Sequence, residues 1–108
     1  MPALDNTVAD ELDRLMSGFF RAVSFNEEGQ AQKALKLLAT LDAASISQAQ
    51  PGTDWPWRLQ AERGRALVAA GQRAQGIAEL DAGIAGMERA KSAQMFLAPL
   101  RRFRAAQP

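Results

Sequence analysis

Few side chains in this sequence could act on a substrate. Serines stand at 17, 24, 45, 47 and 92, lysines at 33, 36 and 91, and carboxylates fall close together at Asp10 and Asp13 and at Glu79 and Asp81. A serine nucleophile needs a base beside it. The 108 residues contain no His, no Cys and no Tyr. That removes imidazole proton transfer, thiolate attack and soft-metal ligation. A Ser–Lys pair is the nucleophilic arrangement left, and no motif marks one. Asp10 and Asp13 share a helix face as a solvated pair. The segment Gly71–Gly76 lacks the Lys-Ser/Thr pair of a phosphate loop. No loop spaces oxygen ligands for a hard cation. The expectation is a non-catalytic chain with no cofactor and no metal.

Binding chemistry is better represented. Residues 1–30 hold six acids and two bases, and residues 31–108 hold six acids and eleven bases. Arg89, Lys91, Arg101, Arg102 and Arg104 lie in a stretch without an acid. With Phe103 available to stack, that stretch could meet nucleic acid or an acidic partner. It could equally complement a helix C-terminus, or pair with the acidic first helix. Trp55-Pro56-Trp57 and Phe19-Phe20 offer large apolar side chains of the kind that anchor interfaces. Adjacent Phe19 and Phe20 point 100° apart on a helix, so one can face the core and the other a partner. Phe20, Trp55, Trp57, Arg101, Arg102 and Phe103 are therefore the candidate partner-binding residues; the alternative is that Trp57, Phe19 and Phe20 pack in the core while Trp55 staples the loop onto the third helix.

The elements that must position them are helical. Val, Ile and Thr are scarce, which argues against a sheet. Leu4, Val8, Leu12, Leu15, Phe19 and Val23 step by three and four residues, which predicts a helix over 4–23. Asn26 is placed to cap a second helix over 31–44, unless Gly29 closes the first. Residues 45–56 carry loop chemistry, with Asp54 to cap and Pro56 to open a third helix that ends at Gly71. A fourth helix is expected over 73–89, with Gly76, Gly83 and Gly86 allowing close helix approach. Ser92 can cap a fifth, which Pro99 kinks or restarts. Residues 104–108 should fray.

Residues 15–48 and 57–90 are self-similar. Gly64, Gly71, Gly76, Leu80 and Gly83 recur as Ala22, Gly29, Ala34, Leu38 and Leu41. Small residues thus recur where antiparallel helices would cross, and Gly recurs at the turn. The stretch RLQAERGRALVAAGQRAQGIAELDAGIA resembles the tetratricopeptide repeat, a 34-residue helix–turn–helix. It departs from that pattern at Gln60 and Gly18, where an aromatic is usual, and at Arg63 and Arg21, where Leu is usual. The terminal Pro is replaced by Glu88 and Ile46. The two turn glycines are 42 residues apart, so 45–56 reads as an insertion. The run ELDRLMSGFFRAVSF is also similar to the first helix of cone-shaped domains related to nuclear transport factors, but nothing after residue 25 supplies their sheet.

The sequence therefore predicts one all-α domain of four or five antiparallel helices. Its hairpins resemble tetratricopeptide repeats, and a C-terminal helix caps them. The resemblance implies a small adaptor, chaperone or inhibitor that holds a peptide or helix of another protein in an inter-helix groove. A nucleic-acid-associated regulator and a self-associating domain are the alternatives. Acids occupy the first residues, where a secretory signal would carry Lys or Arg. No apolar run nears the roughly 18 residues of a membrane span. A cytoplasmic location away from membranes is expected.

Overall fold

The computed structural model describes residues 6–108, and all its regular elements are α-helices. They are α1 (Asn6–Glu27), α2 (Ala31–Leu38), α3 (Ala44–Ala49), α4 (Trp55–Ala69), α5 (Arg73–Arg89) and α6 (Gln94–Ala105). Leu4, Asp5 and the side chain of Val8, which the periodicity assigned to the first helix, lie outside the described part. No described helix is long and apolar enough to cross a membrane.

The self-similarity is visible in the turns. After α1, Gly29 takes φ +75°, and the Gln30 amide donates to the Phe25 carbonyl at 2.8 Å. After α4, Gly71 takes φ +94°, and the Gln72 amide donates to the Leu67 carbonyl at 2.9 Å. Both are left-handed glycine closures that satisfy the last carbonyls of a helix and reverse the chain. Each is followed by a new helix, so α1/α2 and α4/α5 are antiparallel hairpins.

The hairpins differ in what lies where their helices cross. A Cβ on Gly64 would sit 2.7 Å from the Gly76 carbonyl oxygen, and one on Gly83 would sit 2.6 Å from the Ala61 amide nitrogen. The α4 and α5 backbones touch there, as the glycine spacing predicts. In α1/α2 the matching small positions are Ala22 and Ala34, both fully buried. Helix α4 occupies the centre, in contact with each of the other five helices.

Several boundaries depart from expectation. Helix α2 ends at Leu38 rather than Ala44. The Thr40 hydroxyl donates to the Leu37 carbonyl at 2.7 Å, and Asp42 Oδ1 accepts the Ala44 amide at 2.9 Å. A short polar side chain thus ends one helix and opens another. That second helix, α3, lies inside the expected 45–56 loop and buries Ile46 against Leu15, Phe19 and Trp55. Asn26 caps nothing; α1 runs past it to Glu27. Ala93, in extended conformation, precedes α6 in place of Ser92, and α6 continues through Pro99. In the last residues, Gln107 donates to the Phe103 carbonyl at 3.2 Å, and Arg73 donates to the Pro108 carbonyl.

Candidate functional site

Two helices flank α4, α1 on one side and α6 on the other, and their backbones stay apart. Side-chain contacts fix their directions. At one end, Arg58 of α4 stacks on Phe96 of α6 at 4.1 Å and reaches Phe19 of α1 at 6.0 Å. Further along, Asn26 of α1 donates to Glu62 of α4, and Arg65 of α4 lies over Phe103 of α6 at 5.4 Å. The three helices therefore run parallel, with α4 as the floor of a groove and α1 and α6 as its walls. The groove holds a cavity of about 180 Å³.

Its lining is mostly apolar. Phe20 stands on the α1 wall, 45% exposed, and Met95 on the α6 lip, 74% exposed. The Phe20 and Phe96 rings meet at 6.2 Å. Pro99 also lines the groove and has no N–H to donate to the Met95 carbonyl one turn back. Met87 of α5 and Leu100 close the bottom, both buried.

Beneath the Phe20 end is a fixed aromatic–cation stack. The Arg58 guanidinium sits 4.5 Å from the Trp55 ring and 4.1 Å from Phe96. Its Nε donates to Asp54 Oδ2 at 2.8 Å, and the same oxygen accepts the Ser92 hydroxyl at 2.5 Å. Asp54 stands at the start of α4, as expected, but its carboxylate ties three segments together instead of capping the helix. Ser92 is buried, and its hydroxyl is held by that carboxylate.

The other end carries a buried acid. Glu62 is 4% exposed. Asn26 Nδ2 donates both to its carboxylate, at 2.9 Å, and to its main-chain carbonyl, at 3.1 Å. Arg65 Nη1 stands 3.7 Å from the carboxylate and has no hydrogen-bond partner among the described residues. Burial pushes the Glu62 carboxyl above its ordinary range, against the Asn26 hydrogen bond and the Arg65 charge, which pull it down.

The six residues singled out from sequence are not gathered in one place. Phe20 is on the groove wall. Trp55 is 8% exposed and belongs to the core beneath it. Trp57 packs its indole on Gly86, where even a Cβ would not fit. Phe103 packs against the core formed with Leu80, Met87 and Leu100. Arg101 pairs with Glu88 at 2.5 Å, and Arg104 with Asp81 at 2.7 Å. These basic residues thus meet acids of α5, not those of the first helix. Arg102 is exposed and makes no ion pair among the described residues. Sequence reasoning missed Met95, Phe96, Pro99, Glu62 and Arg65. Glu62 had a readable signal: with Trp55, Leu59 and Ala66 it forms a helical stripe in which it is the one polar member.

Among the described residues, no group of three or more acidic side chains is placed to hold a metal. No family model matches the chain, and neither curated proteins nor solved structures provide a match.

Proposed function

We propose that this chain is a non-catalytic protein-interaction module of adaptor, chaperone or inhibitor type, and that it takes a helix or peptide of a partner in the groove between α1 and α6. The observation that carries this reading is the exposure of Phe20 and Met95 beside a cavity floored by buried side chains. Large apolar side chains clustered at the mouth of a groove favour a partner that covers them. A helix laid into an apolar groove is a recurrent mode of peptide recognition. Kinship with tetratricopeptide repeats is part of the same proposal; the duplicated glycine turn and the parallel α1, α4 and α6 support it. So is a cytoplasmic location. Nucleic-acid binding is the weaker reading, because Arg101 and Arg104 are already engaged by acids.

The test is capture from source-cell lysate with tagged chain, in nuclease-treated and untreated halves, beside a Phe20→Asp variant. Phe20 is half in solvent, so the variant should melt as the parent does by circular dichroism. The proposal expects a discrete protein retained with or without nuclease and lost with Phe20→Asp. Retention abolished by nuclease and indifferent to Phe20→Asp would overturn it.

A further inference from the structure

The two lips of the groove differ in charge. On α1, Asp13, Met16, Phe20, Val23 and Glu27 step by three, four, three and four residues and so form one stripe. Its middle is apolar, and both ends are exposed acids; the cavity is lined on α1 from Phe19 to Glu27, and Asp13 lies on the same face beyond it. Arg14 and Arg21 are turned about 100° or more away from Phe20 at 100° per residue, so neither base belongs to that lip. On α6, Met95 and Arg102 lie within about 20° of one another around the helix, by the same spacing. Both are exposed. That lip is apolar at one end and basic at the other. Between the lips, Glu62 and Arg65 offset each other on the floor.

From this we infer that the groove's occupant is an amphipathic helix with basic residues along one edge of its apolar stripe and acidic residues along the other, and that these edges set the direction in which it lies. The inference rests on the interaction-module reading and names the partner's chemistry. An apolar stripe answers Phe20, Met95 and Phe96. A basic edge answers Asp13 and Glu27 on α1, and an acidic edge answers Arg102 on α6. Asp13 and Glu27 are fourteen positions apart, about 21 Å along a helix, so the occupant spans about four turns. Reversing a helix in a groove exchanges its left and right edges. Only one direction then satisfies both lips; the other sets like charges against each other. Exposed pairs are individually weak. Three in concert should favour the correct direction about fivefold or more, and salt should erase the preference.

The experiment uses the full chain, ¹⁵N-labelled, and a synthetic 18-residue helical peptide with a Leu stripe, one Lys edge, one Glu edge and a nitroxide at its N-terminus. A second peptide has the two edges exchanged. The expected result is broadening confined to one end of the groove, at Phe20 and Phe96 or at Glu27 and Phe103, and moving to the opposite end with the second peptide. The triple variant D13K/E27K/R102E should reverse both outcomes. Peptides that bind in the groove but broaden both ends equally would overturn the inference and leave the module reading intact. Failure of both peptides to bind would overturn the two together. Sedimentation of the chain alone as a dimer that Phe20→Asp dissociates would assign the groove to a second copy and overturn the inference.

Discussion

The α4/α5 hairpin and the α1/α2 hairpin begin from the same turn and are packed by different means. In α4/α5 the crossing points are glycines, and backbone lies on backbone. In α1/α2 they are alanines, and Gly18 of α1 faces only the side chain of Leu41, in the segment just after α2, which an added Cβ would meet at 2.7 Å. Backbone contacts have no rotamers with which to adjust, whereas a leucine tip has several. The molecule thus has a spine fixed by backbone contact and a first wall held by side chains. The groove lies where that wall, the spine and α6 meet.

The strongest challenge to this comparison is a methyl group at each crossing. Gly64→Ala places a Cβ against the Leu80 backbone and the Gly76 carbonyl, so the helices must separate; it should cost about 3 kcal/mol or more in urea melts. A cost under 1 kcal/mol would mean the spine is not backbone-locked.

The turns should respond alike. Gly29→Ala and Gly71→Ala have open space around the new methyl but force a left-handed alanine. Each should lose about 1–2 kcal/mol, and by similar amounts. A large disparity would deny that the two turns are equivalent.

Glu62 joins the first wall to the spine, and its effect depends on pH. Burial raises its folded-state pKa above the ordinary 4.5. The folded chain then holds that proton more tightly than the unfolded chain does. The group's contribution to stability is complete below pH 4.5 and is lost as pH rises through the folded value. Glu62→Gln removes this dependence, so its stability relative to the parent should improve steadily from pH 4.5 toward neutrality in paired melts. A difference that is flat with pH would contradict the assignment.

Gly18→Ala should show the smallest effect. Leu41 can turn aside, and alanine is favoured over glycine by about 1 kcal/mol in a helix interior. The net change should stay within about 1 kcal/mol. A loss as large as that of Gly64→Ala would erase the contrast between the hairpins.

Where the sequence carried the decisive atoms locally, the fold was legible. Helix α5 lies at Arg73–Arg89, as read, because Gly71 ends its predecessor and the Gln72 turn starts it at once. The small-residue spacing gave the crossing of α4 and α5 for the same reason. Asp42 defeated the reading of α2: whether Asp opens a turn or rides on a helix depends on the amide it meets. Asn26 looked like a cap, but its amide is drawn to Glu62, 36 positions away. The groove was legible only at Phe20. Trp55 and Arg58 form their stack with Phe96, a residue far along the chain that no local pattern links to them. The C-terminal arginines read as a basic patch because Glu88 and Asp81, one helix away, do not show in a linear charge count.

The central claim is that α1 and α6 form the binding walls around a fixed spine. Methionine methyl groups test it most directly. Met16 and Met95 are exposed, on α1 and α6, and Met87 is buried on the spine. In ¹³C-methyl spectra recorded while the mixed-edge peptide is added, Met16 and Met95 should shift together and saturate at one ratio, with Met87 moving less. Saturable binding that leaves Met16 and Met95 unmoved would contradict the account.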